Sequence, residues 1–297
     1  MLSNFIDRHF DKINTFFIIL ITIMIIYPLV FVASASISDP VAVNTGQVWL
    51  WPVNITFDGF KRVFQNSDIW RGYRNTIFYT LSSTLLSLVV LIPASYALSR
   101  PEVMGKKYIM WFMLFTMLFN GGMIPNYLLI DKLGMVNTVW AIIIPGLIGT
   151  WNILVTKSFF EASIPSQLIE SATIDGASEF TVFTKIVIPL SMPIIAVMAL
   201  FKGVGMWNEY FRALIYLRDE ALFPLQLILR EILVLNQVTS QTMQTTAGQA
   251  QSIVEMVNNA SLVRYAVMIV SAVPLLVAYP FVQKYFVKGV LIGSVKE

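Results

Sequence analysis

Six stretches of the sequence, roughly 15–37, 75–99, 108–130, 139–160, 190–217 and 265–286, are apolar over lengths that cross a bilayer as helix. About 20 mostly apolar residues suffice, because a helix rises about 1.5 Å per residue through about 30 Å of hydrocarbon. No other feature restricts the fold as strongly. In lipid every backbone N–H and C=O must be paired inside the protein. Such a chain is therefore expected to be an all-α membrane protein of six transmembrane helices, with residues 1–297 forming one transmembrane domain. Composition points the same way: 57% of the residues are hydrophobic and 12% charged, against about 25% charged in soluble domains. Each run contains proline, at Pro28, Pro93, Pro125, Pro145 and Pro193, then Pro274 and Pro280. A membrane bundle tolerates this because neighbouring helices re-satisfy the freed carbonyls. The first run exceeds the 7–15 residues of a signal-peptide core, so it is read as an uncleaved span.

Short-loop Lys and Arg mark the cytoplasmic side. Arg8 and Lys12 precede the first run, Arg100, Lys106 and Lys107 crowd the link between the second and third, and Lys284, Lys288 and Lys296 follow the sixth. Both termini are accordingly expected in the cytoplasm, with loop 161–189 inside and loops 38–74 and 218–264 outside. Lys61, Arg62, Arg71 and Arg74 oppose this reading, but long loops cross largely regardless of charge. The aromatic stretch "VWLWPVNITFDGF" is expected to fold back on the membrane surface, and short helices are expected around Ile232, Leu233 and Leu235.

Several classes are excluded. There is no cysteine, and His9 is the single histidine, so thiolate chemistry, His catalysis and a His metal cluster have no residues to build them. A net charge of +3 without a basic run gives no nucleic-acid surface. No G-x-x-x-x-G-K-[ST] occurs, so the chain has no phosphate cradle for ATP.

Against this background "ESATIDGASEFTVFTKIVIPLSMP", residues 170–193, is a polar island. With Glu161, Glu170, Asp175 and Glu179 in lipid, insertion would cost on the order of 10 kcal/mol; the segment must lie outside the hydrocarbon. Ser163 is placed to cap a helix beginning near Pro165, with Leu168 and Ala172 on one face beside Ile169. Gly176 can end that helix and permit a bend. A second amphipathic piece then carries Phe180, Phe183 and Val187 up to Pro189. Two short helices joined at a glycine, showing apolar and small surfaces to water, read as a docking plug for a soluble partner.

Lys202, Glu209 and Arg212 lie inside the fifth run, where ionisable groups are costly. On a continuous helix Lys202 and Glu209 fall about 20° apart and Arg212 about 60° from Glu209. One reading is a structural Glu209–Arg212 pair. The other is a polar wall of a translocation path, with Trp207, Asn208 and Tyr210 beside it. Asn120, Gly121 and Gly122 in the third run read as a packing or bending feature. Tyr96 and Trp151 read as packing or interfacial aromatics.

The spacing E-S-A-x-x-x-G-x9-I-x-I-P, from Glu170 to Pro189, resembles the signature loop of the membrane subunits of binding-protein-dependent ABC importers. "IDGAS" at 174–178, "WNEYFRALIYL" in the fifth run and the closing "YPFVQKYFVKGVLIGSVKE" are similar to the sugar-importing, maltose-type permeases, and "FNGGMIPNYLLIDKLGMVNT" to those handling larger oligosaccharides. The resemblance implies a type I importer permease in the bacterial plasma membrane, itself no enzyme and without a cofactor or metal of its own. It implies a cytoplasmic ATPase dimer that binds ATP and Mg, a second and distinct permease subunit, an extracytoplasmic solute-binding protein and a sugar substrate. Coupling to the ATPase is then assigned to Glu170, Ser171, Ala172, Asp175, Gly176, Ile186 and Pro189. Among these Glu170 offers charge-assisted hydrogen bonds and Ala172 and Gly176 a close fit, while Asp175 either braces the bend or makes a contact. Two alternatives stay open: the same machine with a non-sugar solute, and a proton-coupled secondary transporter using Glu209. The latter class often shows inverted repeats, and none is visible.

Overall fold

The computed structural model describes residues 2–242, 261–280 and 283, which are helix, turn and loop throughout. The chain divides into two compact units, one of Met1–Trp70 with Leu229–Pro274 and one of Arg71–Ile228 with Leu275–Glu297.

In the first unit, α1 (Leu2–Ser36) is one long helix whose apolar surface is almost entirely uncovered by the chain itself. The loop that follows is pinned to its last turn. Ser34 Oγ donates to the Leu50 carbonyl at 2.6 Å, Ser38 Oγ to the Ser34 carbonyl at 2.6 Å, and the Asp39 N–H to Val53 at 3.0 Å. Asp39 caps α2 (Pro40–Asn44), accepting from the Val41 N–H at 2.8 Å. Trp49 and Trp51 stay exposed. Next, α3 (Asp58–Gln65) packs closely at Gly59, where a Cβ would lie 2.7 Å from the Leu262 carbonyl. That carbonyl belongs to the helix Ser261–Pro280. The lost freedom of a glycine is offset there by backbone-to-backbone contact.

The second unit is organised on α4 (Ser67–Ser99). Its polar residues hold the region after the fifth run: Tyr79 OH donates to Leu222 at 2.8 Å, Asn75 Nδ2 to Ala221 at 2.8 Å, and Thr76 Oγ1 accepts the Leu225 N–H at 2.8 Å. Buried Tyr79, Ile142, Ile143, Met206, Ala213 and Leu227 form a core around these bonds. Leu91, Leu98, Ile153, Ile194 and Met198 form a second.

The third run is not one helix. It forms α5 (Lys106–Leu118) and α6 (Met123–Lys132), 114° apart. The break is local chemistry: Asn120 Oδ1 accepts the Gly122 N–H at 2.9 Å, and Gly122 has φ 85°, ψ −178°, a conformation open to glycine alone. The fourth run divides as well, into α7 (Trp140–Ile143) and α8 (Thr150–Ser163), with Gly146 at φ 67° between them. In the fifth, α12 (Met192–Trp207) stops at Asn208 and α13 (Phe211–Tyr216) resumes. Three described helices have the length and apolarity to cross a membrane, and the two bent pairs raise that to five. An 18-residue helix, α14 (Leu225–Thr242), occupies the region where short helices were expected. Lys284, Lys288 and Lys296 lie outside the described residues.

Candidate functional site

The polar island folds as α9 (Ser166–Ile174), α10 (Glu179–Val182), a π-helical turn (Phe183–Val187) and α11 (Ile188–Leu190). Ser163 does not cap α9 as expected. It closes α8, and extended Pro165 leads directly into the next helix because proline already supplies the required φ. Pro189 does not end the second piece either; it lies in the first turn of α11, where its missing N–H costs nothing, and the chain turns at Ser191 by 75° into α12.

The hinge does match the expectation at Gly176, and the structure gives its chemistry. Gly176 has φ 81°, its N–H bonds the Thr173 carbonyl at 3.0 Å, and the Ala177 N–H bonds the Ala172 carbonyl at 2.9 Å. This pair of bonds is a Schellman stop, with Ala172 and Ala177 making its apolar contact. Ala172 and Gly176, four apart in the signature, are thus the two ends of one helix terminator. Ser178 then caps α10 by accepting the Thr181 N–H at 3.3 Å.

The island's inner face is anchored. Ile169, Val182 and Val187 are buried with Ile92 and Phe160, and Ile186 packs alongside them. Tyr96 sits between Phe160 and Phe183, with centroids 5.9 and 5.2 Å away. Its outer face is not covered. Ile174 is 87% exposed and Phe180 76% exposed. Glu170 lines a cleft of about 830 Å³ with Tyr96, Arg100, Glu102, Ile174 and Glu179, and its carboxylate has no partner among the described residues. Asp175 is exposed, and Ser171 Oγ turns back to the Leu168 carbonyl at 3.1 Å. Ile174 was missed by the sequence reading, because it lies off the face shared by Leu168 and Ala172.

A tie secures the base of the island. Glu161 joins Lys157 at 2.6 Å and Lys106 at 3.1 Å, linking the end of α8 to the start of α5. Burial disfavours its charge, but hydrogen bonds and attraction from the two lysines outweigh that and hold the carboxyl below its ordinary 4.5. A depressed native pKa contributes stability above the unfolded value and loses it as pH falls through the native one. Glu161→Gln is therefore expected to lower the melting temperature of the detergent-solubilised protein at pH 7, with a cost of about 0.5–1 kcal/mol. The deficit should shrink as pH falls and close once the native carboxyl is protonated, below the ordinary 4.5; a deficit that acidification leaves unchanged would assign it to something other than charge.

In the fifth run the helix break brings the charges together. Arg212 Nε donates to Glu209 Oε2 at 2.7 Å, and the Arg212 N–H to Glu209 Oε1 at 3.0 Å. Arg212 also donates to the carbonyls of Pro145 and Ile142, the latter at 3.4 Å, while Lys202 Nζ donates to Gly146 at 2.7 Å. Asn208 bonds the Val204 carbonyl at 2.9 Å and Tyr210 is exposed. Trp207 is not beside them on a wall: it is buried and packs on Tyr73, 6.1 Å between centroids. A cleft of about 660 Å³ joins Arg212 to Asn120, Gly122 and Asn126. The Asn120–Gly122 segment, read from the sequence as a packing or bending feature, makes the 114° bend, and Asn120 and Gly122 line this cleft.

Residues 69–292 match the family of binding-protein-dependent transport system inner membrane components. The chain belongs to this family. A polygalacturonan/rhamnogalacturonan transport system permease protein, YtcP, of Bacillus subtilis (strain 168) is 36% identical, covering 98% of this chain and 99% of its own. The maltodextrin transport system permease protein MdxG of the same organism is 30% identical over 97% of this chain and 98% of its own. The crystal structure of a bacterial ABC transporter involved in the import of the acidic polysaccharide alginate is similar at 34% identity and TM-score 0.82, over 94% of this chain and 97% of that chain. The inner-membrane component described here is accordingly a membrane permease.

Proposed function

We propose that the chain is the permease subunit of an ATP-driven importer of oligosaccharides or polysaccharide fragments. Exposed Ile174 and Phe180 on either side of the Gly176 stop carry this reading. Two large apolar side chains held in water, on helices anchored from behind, form a surface that needs a partner. That partner is a cytoplasmic ATPase dimer binding ATP and Mg, because the chain has no phosphate cradle of its own. Closure of the dimer pushes on α9 and α10, and their buried face transmits the push to α4 and α8. A second permease subunit completes the path, and an extracytoplasmic binding protein delivers the sugar. Lys202, Asn208, Glu209, Tyr210 and Arg212 contribute to the path, with both termini and loop 161–189 in the cytoplasm.

The test is purification from bacterial membranes with identification of co-purifying chains. Recovery of a nucleotide-binding chain and a second permease is the expected result, with uptake into liposomes requiring ATP and the binding protein. Accumulation of sugar by this chain alone, driven by a proton gradient, would overturn the reading.

A further inference from the structure

Two helices frame the polar island, α8 before it and α12 after it, and a side chain joins them again at their far ends. At the near ends both run into the island's own core. Phe160 of α8 packs with Val182 and Val187, and α11 turns into α12 at Ser191. Along their length Ile153 of α8 packs with Ile194 and Met198 of α12. At the far ends, Lys202 stands in α12 roughly 15 Å beyond the bend at Ser191. Its Nζ donates to the Gly146 carbonyl at 2.7 Å, in the turn that leads into α8.

That turn lacks main-chain partners for three of its carbonyls. Those of Ile142, Pro145 and Gly146 accept no main-chain N–H among the described residues. The reason is local: α7 has four residues, and Gly146 at φ 67° turns the chain before the next helical bond can form. Free carbonyls at membrane depth are costly, and the two cations of the fifth run satisfy all three. They are not equivalent. Arg212 lies on α13, past the break at Asn208, and reaches Ile142 and Pro145. Lys202 lies within α12 itself, so its bond ties α12 directly to the entrance of α8.

Apolar packing between α8 and α12 resists separation but has no direction, so it permits sliding and rotation. A charge-assisted hydrogen bond at the far end fixes their register. We propose that the Lys202–Gly146 bond closes a frame of island, α8, turn and α12, with Lys202 as the positioning residue that makes the turn follow the island when the ATPase pushes on it. This rests on the importer reading above. The turn is where such motion takes effect. Ile144, Pro145 and Gly146 line the cleft of about 660 Å³, so displacing them reshapes it. Lys202 acts through Gly146 and is not itself on the cleft lining.

The chain has no cysteine, so Ile144→Cys places a single thiol in it, on the cleft wall. The complex with its ATPase, purified from membranes into nanodiscs, is labelled with a charged maleimide. One sample is free of nucleotide and one holds MgATP with vanadate, which arrests the closed ATPase. The labelling rate should change at least fivefold between them. In Lys202→Met that change should shrink below twofold, and Lys202→Arg, which can donate to the same carbonyl, should restore most of it. A bond that only stabilises the fold would lower the melting temperature of Lys202→Met and leave the labelling response intact, overturning the frame. The frame also falls, with the importer reading standing, if Ile144→Cys alone shows no response or if arginine loses it as methionine does. A chain that brings no ATPase from the membrane and responds to no nucleotide would remove the importer reading and the frame with it.

Discussion

Gly176→Trp is expected to reduce ATP-dependent uptake to background while the protein still inserts in the membrane and folds. The argument separates backbone from surface. Gly176 has φ 81° and nothing within 4 Å of where its Cβ would be. Any L-residue there pays about 1–2 kcal/mol for the left-handed conformation, yet finds open space. Gly176→Ala incurs that conformational cost alone, so it should transport at a rate near the wild type, with a slightly lower melting temperature. Tryptophan pays the same cost and adds a large ring between Ile174 and Phe180, on the surface proposed to seat the ATPase. The tenfold or greater difference between the two variants therefore measures docking rather than folding. The ATPase should co-purify with the alanine variant and be lost from the tryptophan one. A Gly176→Trp protein that transports normally would eliminate the docking surface.

Breaking the Glu209–Arg212 pair should have the second large effect. The two side chains are 17% and 24% exposed, so each is substantially desolvated. Removing one partner from a buried pair costs about 3–5 kcal/mol, because the remaining charge is uncompensated. With this residual exposure the lower end, about 3 kcal/mol, is expected for Glu209→Gln, seen as reduced yield and melting temperature. Arg212 also clamps the turn at Pro145 and Ile142, so its misplacement disturbs the wall of the cleft. The double variant Glu209→Gln with Arg212→Gln carries no orphan charge and should regain most of the stability. Its transport should stay at least tenfold down. Restored transport in the double variant would make the pair a structural element only, and unaltered transport and assembly in Glu209→Gln would dismiss both roles.

Much of this was legible in residue order. The Glu209–Arg212 pair was readable because its partners are three apart and their bond is local. The stop at Gly176 was readable because a glycine after a short helix has one common use. Other readings failed where a local rule met a stronger local competitor. The third run is apolar throughout, and hydropathy cannot register that Asn120 would bond Gly122 and turn the chain by 114°. Ser163 has the chemistry of a cap, but the helix before it runs on through that position. Trp207 lies next to polar residues in sequence and points away from them in space, into Tyr73.

Apolar run length was enough to establish a helical membrane protein, since lipid permits few solutions to the pairing of backbone groups. Helical angles counted along a straight fifth run could not anticipate that Lys202 and Arg212 meet on the turn inside the fourth run, between α7 and α8. That proximity depends on two helix breaks, at Gly146 and Asn208. Each break is a local event, but where the side chains end up is set by how the broken pieces pack, and packing is settled between segments far apart in the chain.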